Sequence, residues 1–273
     1  MLKNQRKNNH FITKMYIYIY DIYVSEKKYE STIARIETRI TDLGLNGKII
    51  RLSVMSSLFE TIKNELKKGA KTITVVGNDS ILNQAITVIA KLLPANGAFK
   101  NVPLGFIPVG KKNNSLANFL GLELEENACD ALSARRIKYI NLGIANNNHF
   151  LTHATIPTTG TILEIDKTYT IEISEPGEIG IVNLLKDEAL DNNSGAKNQK
   201  GILELSIKTK TAKKYLPLIK EYGERSVFSF KNLTVINKKL PITLDNSLEI
   251  PSPINISLAE EKLNIIVGKN HQF

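Results

Sequence analysis

The spacing of apolar residues divides the chain in two. Residues 16–24 (YIYIYDIYV) are rich in β-branched and aromatic side chains and predict a strand. From Lys27 to Leu43, apolar Ile33, Ile36, Ile40 and Leu43 recur at three- and four-residue steps, predicting an amphipathic helix closed by Gly44. A strand at 48–53 (KIIRLS) follows, then a helix over 57–68 with Leu58, Ile62 and Leu66 on one face and Gly69 behind it. TITVV (72–76) is a continuous apolar run, as expected of a parallel strand covered on both faces. ILNQAITVIAKLL (81–93) reads as a helix halted by Pro94, PLGFI (103–107) as another strand, and SLANFL as a short helix. Strands alternating with helices imply βαβ units and a three-layer α/β domain around a parallel sheet.

From Lys138 the pattern becomes a succession of strands: YINLGIA, HFLTHATI, TYTIEIS, IGIVNLL, GILELSIK, LTVIN, INISLA and LNIIVG. Such a series predicts an antiparallel β-sandwich. A helix is expected at 211–223 (TAKKYLPLIKEYG), with Pro217 near its start or kinking it, and a polar surface loop at 187–200. The expected organisation is a flexible basic arm over 1–14, an α/β domain over 15–137 and a β-sandwich over 138–273, whose last strands pack back towards the first domain. Neither a repeat of fixed period nor a heptad pattern is present.

Composition narrows the class. A chain of 273 residues, 42% hydrophobic and 23% charged, suits two ordinary folded domains. The single cysteine, Cys129, has no partner for a disulfide, a zinc site or a redox pair, which fits a reducing cytoplasm. The first apolar segment is interrupted by Lys14 and Asp21, and no run reaches the length of a membrane span, so contact with a membrane would be peripheral. The net charge of +9 is uneven: residues 1–140 hold 21 Lys/Arg against 12 Asp/Glu, and residues 141–273 hold 15 of each. Excess positive charge in the first half favours an anionic ligand there, although a merely solubilising surface explains it as well.

In the third βα unit, TITVV runs into Gly77-Asn78-Asp79-Ser80 and a helix begins at once. Such a turn presents backbone N–H groups and the positive end of a helix dipole, where phosphate binds. Gly77 would allow close approach, and Asn78 is the non-glycine residue that best tolerates positive φ. An ordinary turn capped by Asp79 or Ser80 accounts for the same residues. A second segment, PLGFIPVGKKNNSLANFLGL, follows the next strand.

Taken together, VVGNDSILNQAI and PLGFIPVGKKNNSLANFLGL resemble the paired loops of the diacylglycerol kinase catalytic domain family, written G-G-D-G-T with L-N-E, and P-L-G-T-G-N-D. Gly77, Asp79, Leu82 and Asn83 match the first, and Pro108, Gly110 and Asn113 the second. Residues 225–268 are similar to the family's closing strands, with Asp245 at the aspartate of a D-G-E triplet. The resemblance spans about residues 16–268 and implies a nucleotide-binding α/β domain, a β-sandwich, and a cleft between them for ATP with Mg2+ and a lipid hydroxyl at a membrane surface. It places Asp79 and Asp245 in catalytic roles and Asp79 also on the metal. Gly77, Asn78, Ser80, Gly110, Lys111, Lys112, Asn113 and Asn114 fall on the nucleotide.

Several positions depart from the pattern. Asn78 and Ser80 stand at glycines, Ile81 at the threonine, Gln84 at a glutamate, Lys111 and Lys112 at Thr and Gly, and Asn114 at an aspartate. Asn246 and Ser247 replace the glycine and glutamate of D-G-E, removing the usual proton acceptor; Glu249 lies two residues out of register. Phosphoryl transfer needs charge neutralisation and a group to orient the attacking hydroxyl. The reading as an ATP-dependent lipid kinase therefore stands beside a second, an inactive pseudokinase that binds nucleotide or lipid. A third is an NAD kinase, which shares the strand-G-G-D-G turn and a G-F-[IL] strand. No nucleic-acid partner is expected, and a homodimer stays open.

His149 and His153, four residues apart in HFLTH, would share a strand face, but no third metal ligand accompanies them. Cys129 is expected to be a buried structural thiol. Arg135, Arg136 and Lys138 could lie near phosphate or simply end a surface helix. The tyrosines of YIYIYDIYV suit an edge strand or cross-strand stack better than a nucleic-acid platform.

Overall fold

The computed structural model describes residues 15–93, 99, 101–112, 114–174, 176–183, 202–212 and 220–273, with the backbone alone for 209–212 and 220–224. Four βα units open the chain. Strands β1 (Tyr16–Tyr20), β2 (Gly47–Arg51), β3 (Thr72–Gly77) and β4 (Leu104–Pro108) are parallel, in the order β2-β1-β3-β4. Alternation along β1 sends Ile17 and Ile19 to one face of the sheet and Tyr18 and Tyr20 to the other, and all four are buried. Helices α2 (Leu58–Lys67) and α3 (Asp79–Leu92) cover the first face, and α1 (Glu30–Asp42) and α5 (Ala128–Ala134) the second. This is the three-layer domain that the strand-helix alternation predicts.

α1 buries the Ile33, Ile36 and Ile40 stripe and is followed by Gly44 at φ +65°, a conformation that glycine adopts without a Cβ penalty. α3 is buried on most of its surface because it packs against the sheet, α2 and the start of the second half. Truncating a fully buried side chain on it, such as Leu82→Ala, is expected to cost about 2–5 kcal/mol. The short helix α4 (Ser115–Phe119) follows β4 after the second loop.

The second half forms an antiparallel sandwich. β5 (Ile137–Ala145) pairs with β6 (Asn148–Phe150) and β16 (Ile254–Ile266), and β16 continues through β13 (Asn232–Asn237) to β8 (Thr161–Ile165) and β9 (Tyr169–Ile173). A second sheet runs in the order β12-β11-β10-β7-β14-β15, formed by β12 (Lys220–Phe230), β11 (Leu203–Ala212), β10 (Gly177–Val182), β7 (His153–Ile156), β14 (Ile242–Leu244) and β15 (Leu248–Ile250). Inward residues of the two sheets, among them Phe150, Leu163, Val235 and Ile256 against Ile181, Leu205 and Leu244, make one apolar core. β16 also pairs in parallel with β4 at Ile265 and Leu104, so one sheet of ten strands runs through both cores.

Four expectations are corrected. The first strand ends at Tyr20, because the Asp21 carboxylate accepts from Ile22 N at 2.6 Å and turns the chain into a 3-10 turn over 22–25. β1 is not an edge strand: β2 and β3 flank it. The helix expected at 211–223 is replaced at both ends by strand, since β11 and β12 pair through Ala212 and Lys220; Pro217 lies outside the described residues. INISLA and LNIIVG form the single strand β16, with a register shift between Leu258 and Lys262. Pro94 and the loop at 187–200 also lie outside the described residues. Among the described residues, no helix is long and apolar enough to cross a membrane.

Candidate functional site

β1 to β4 are parallel, so the turns after them share one edge of the sheet, where ligands of open α/β sheets bind. Gly77 ends β3 with Ile81 and Asp21 packed against it; an added Cβ would lie 2.7 Å from Ile81 Cγ2. Asn78 is the N-cap of α3, at φ −111°, and its Oδ1 accepts from Ser80 N at 3.0 Å and Ile81 N at 3.4 Å. Positive φ is therefore not why asparagine stands here, and the cap is Asn78 rather than Asp79 or Ser80. An amide oxygen fills the place a phosphate oxygen would take at an open helix end. The Ser80 hydroxyl accepts from Gln84 Nε2 at 3.4 Å, along the helix surface.

Asp79 is 1% exposed and joins the two loops. Its Oδ2 accepts from Ser115 Oγ at 2.8 Å and from Leu116 N at 3.0 Å, tying the start of α3 to the start of α4. Burial pushes the carboxyl pKa up and the Asp245 charge adds to the rise, against the hydrogen bonds from Leu116 and Ser115. Asp79 Oδ1 has no hydrogen-bond partner, nor have the buried Oδ1 atoms of Asn83, one turn along α3, and Asn114, next to Ser115. A buried acceptor without a donor is costly. A carboxylate oxygen and two amide oxygens left without donors are ligands of the kind that suits a hard cation such as Mg2+. Among the described residues, no three His, Cys, Asp or Glu side chains come together for a metal, so such a cation would rest on amide oxygens and water as well.

Gly110 bends the second loop at φ +85°, a conformation that disfavours a side chain, and Tyr29 Oη would lie 3.3 Å from an added Cβ. The Asn114 amide donates to Gly110 O, and Tyr23 Oη donates to Val109 O at 2.9 Å. Tyr23 and Tyr29 pack edge to face at 5.5 Å, so the segment after β1 braces this loop. Lys111 and Lys112 are exposed, and Asn113 lies outside the described residues. The lysines leave positive charge beside the loop that the Asn114 amide has closed.

Asp245 sits in the β14–β15 turn at φ +44° and is 0% exposed. Its carboxylate accepts from Leu151 N, Thr152 N, His153 N and Thr152 Oγ1, at 2.7, 2.7, 3.1 and 2.6 Å. With four donors converging on it, this carboxylate anchors the turn and is poorly placed to take a proton from substrate. Beyond it, Ser247 Oγ accepts from Asn83 Nδ2 at 2.6 Å, bringing the triplet against α3. The structure thus gathers Gly77, Asn78, Asp79, Ser80, Gly110 and Asn114 at one sheet edge, with the Asp245 turn joined to α3. Asp21, Tyr23, Tyr29, Asn83, Ser115 and Thr152 are further members. Of these, only the motif position of Asn83 is visible in sequence; the others are placed by chain crossings.

The remaining candidates separate from the site. His149 is 4% exposed, its backbone N donates to Thr87 Oγ1, and burial together with the Lys91 charge lowers its pKa to about 4. Burial raises the Cys129 thiol to about 12, in keeping with a structural residue. Arg135 donates to Thr72 Oγ1 at 2.9 Å, at the start of β3, roughly 16 Å of strand from Gly77. It lies at the opposite end of the sheet from the loops.

Residues 17–145 match the family model for the diacylglycerol kinase catalytic domain. No curated protein matches the chain. The fold is similar to a crystal structure of a diacylglycerol kinase from Bacillus anthracis str. Sterne, with 14% identity, a TM-score of 0.68, and 94% of this chain and 98% of that one covered. A second structure from the same organism, of a candidate diacylglycerol kinase, gives 13% identity, a TM-score of 0.68, and 94% and 97% coverage. At this identity the likeness establishes the fold, and residues 17–145 carry the match to the diacylglycerol kinase catalytic domain model.

Proposed function

We propose that the chain is an ATP-dependent lipid kinase, transferring the γ-phosphoryl group to a lipid hydroxyl at a membrane surface. The observation that carries this reading is Asp79: a buried carboxylate that links both family loops and keeps one oxygen without a donor, as do the buried amide oxygens of Asn83 and Asn114. In this reading those three oxygens hold Mg2+, in part through water. Bound magnesium neutralises charge on the phosphate chain. Gly110 lets the second loop approach the nucleotide, Lys111 and Lys112 meet the phosphates as point charges, and Gly77, Asn78, Ser80 and Asn113 line the same edge. Asp245 shapes the turn facing α3.

A non-catalytic nucleotide- or lipid-binding module is the second reading, favoured by the Asn78 amide already engaged with Ser80 N and Ile81 N. Calorimetry with ATP, with and without Mg2+, combined with transfer to diacylglycerol micelles, separates the two. Magnesium-dependent binding and turnover, both abolished by Asp79→Ala in a folded protein, support the kinase. Binding indifferent to metal, without turnover, supports the module, and phosphate incorporated into NAD would favour an NAD kinase instead.

A further inference from the structure

Asp245 takes all four of its hydrogen bonds from residues 151–153. One of them spends the only proton of the Thr152 hydroxyl, at 2.6 Å. Thr152 Oγ1 can then serve His153 only as an acceptor, and it lies 2.8 Å from His153 Nδ1. Nδ1 must therefore carry the ring proton, which leaves the lone pair of the neutral imidazole on Nε2. Nε2 is 3.1 Å from the side-chain amide oxygen of Asn246. With its oxygen forward, that amide accepts from a charged imidazolium; turned about, its nitrogen donates to the neutral ring. Either orientation of the amide keeps its hydrogen bond to Nε2.

This chain of groups sits at the joint between the two halves. Asn246 adjoins Ser247, whose hydroxyl takes the Asn83 amide from α3, one turn beyond Asp79. The Asp245 charge is felt at the Asp79 carboxyl. Among the nearby groups, Ser247 offers no base, Asp79 is dry and bonded to α4, Asp245 is saturated by donors, and His149 is buried against α3. His153 alone in this set is both half-buried and a nitrogen base.

We propose that His153 Nε2 is the proton acceptor for the attacking hydroxyl, held in register by the Asp245-Thr152-His153 hydrogen-bond chain in place of the missing motif glutamate. This rests on the kinase reading above. The hydroxyl proton passes to Nε2, and the freed oxygen lone pair forms the new bond to the γ-phosphorus. The bond from that phosphorus to the bridging oxygen breaks with its electron pair on departing ADP, and the imidazolium returns its proton to solvent.

The test uses the full chain, Mg-ATP and a short-chain diacylglycerol in mixed micelles, with nucleotide affinity and thermal melting measured in parallel. His153→Gln is expected to melt as wild type, bind ATP equally well and lose about 100-fold or more in kcat. Thr152→Ser, which keeps the hydroxyl, is expected to retain the rate, and Thr152→Val to lose it. A smaller loss in His153→Gln, with wild type active, overturns the role of His153 and leaves the kinase reading standing. A wild type that transfers phosphate to no lipid alcohol overturns both. Imidazole 15N shifts give a readout independent of turnover: a neutral His153 carrying its proton on Nδ1 is expected, and one carrying it on Nε2 overturns the proposal.

Discussion

The Asn83 side-chain amide donates to the Ser247 hydroxyl at 2.6 Å, joining residues 164 positions apart across the two halves of the molecule. Asn83 is 2% exposed and its Oδ1 has no partner, so this bond is what satisfies the buried amide. Ser247→Ala is expected to cost about 1–3 kcal/mol, because it strands a buried donor. Asn83→Leu with Ser247→Ala should cost less than the sum of the single changes, by about 0.5–3 kcal/mol in a double-mutant cycle read by urea unfolding. Simple additivity would mean that the contact does not hold the halves together.

Asn78→Gly tests whether α3 contributes its N-terminus to the nucleotide. The change removes the amide that covers Ser80 N and Ile81 N, while glycine at an N-cap costs only a few tenths of a kcal/mol. Two freed N–H groups at a helix start offer charge-assisted bonds to phosphate, so ATP affinity is expected to rise by about tenfold in calorimetry. Asn78→Asp, with a carboxylate in the same place, should lower it. Equal affinity in all three proteins would assign the phosphate chain to the second loop alone.

The parallel domain is legible in the sequence because its strands and helices obey local periodicities: TITVV and the α1 stripe announce themselves. The strand pair at 203–212 and 220–230 is not, since TAKKYLPLIKEYG carries a helix-like spacing that cross-strand pairing overrides at both of its ends. Asp79 is visible as a motif position, but its two donors come from Ser115 and Leu116, and nothing local signals that crossing. The role of Asp245 is hidden for the same reason, its donors lying 92 to 94 residues away. Asn78 shows the opposite error: a residue chosen for permissive backbone geometry acts through its side chain.

His149 makes stability depend on pH. Its pKa is lowered from 6.5 to about 4, chiefly by burial and further by the Lys91 charge, so the unfolded chain takes up a proton in a range where the folded protein refuses it. Stability from this residue is fully present above about pH 6.5 and falls as pH drops towards 4, by roughly 3 kcal/mol in all. His149→Gln removes the titration and should flatten the fall between these limits relative to wild type in urea melts. An unchanged slope would mean that the ring is hydrated in the folded protein.

Asp79→Asn separates a residue kept for binding from one kept for folding. Burial raises the folded carboxyl pKa, so this group favours the folded state below the ordinary carboxylate range and loses that contribution as pH rises through the raised value. At neutral pH the ionised side chain is thus a cost that asparagine does not carry. The amide oxygen can still accept from Leu116 N, and its nitrogen would take the place of the oxygen that has no donor. Asp79→Asn is therefore expected to be at least as stable as wild type at pH 7, while magnesium-dependent ATP binding weakens about tenfold or more, since the one charged oxygen of the proposed cation site is gone. A variant that loses about 1 kcal/mol or more of stability but binds nucleotide normally would make Asp79 a cap for α4 and nothing else, because burying a charge would then be tolerated only for the hydrogen bonds it accepts.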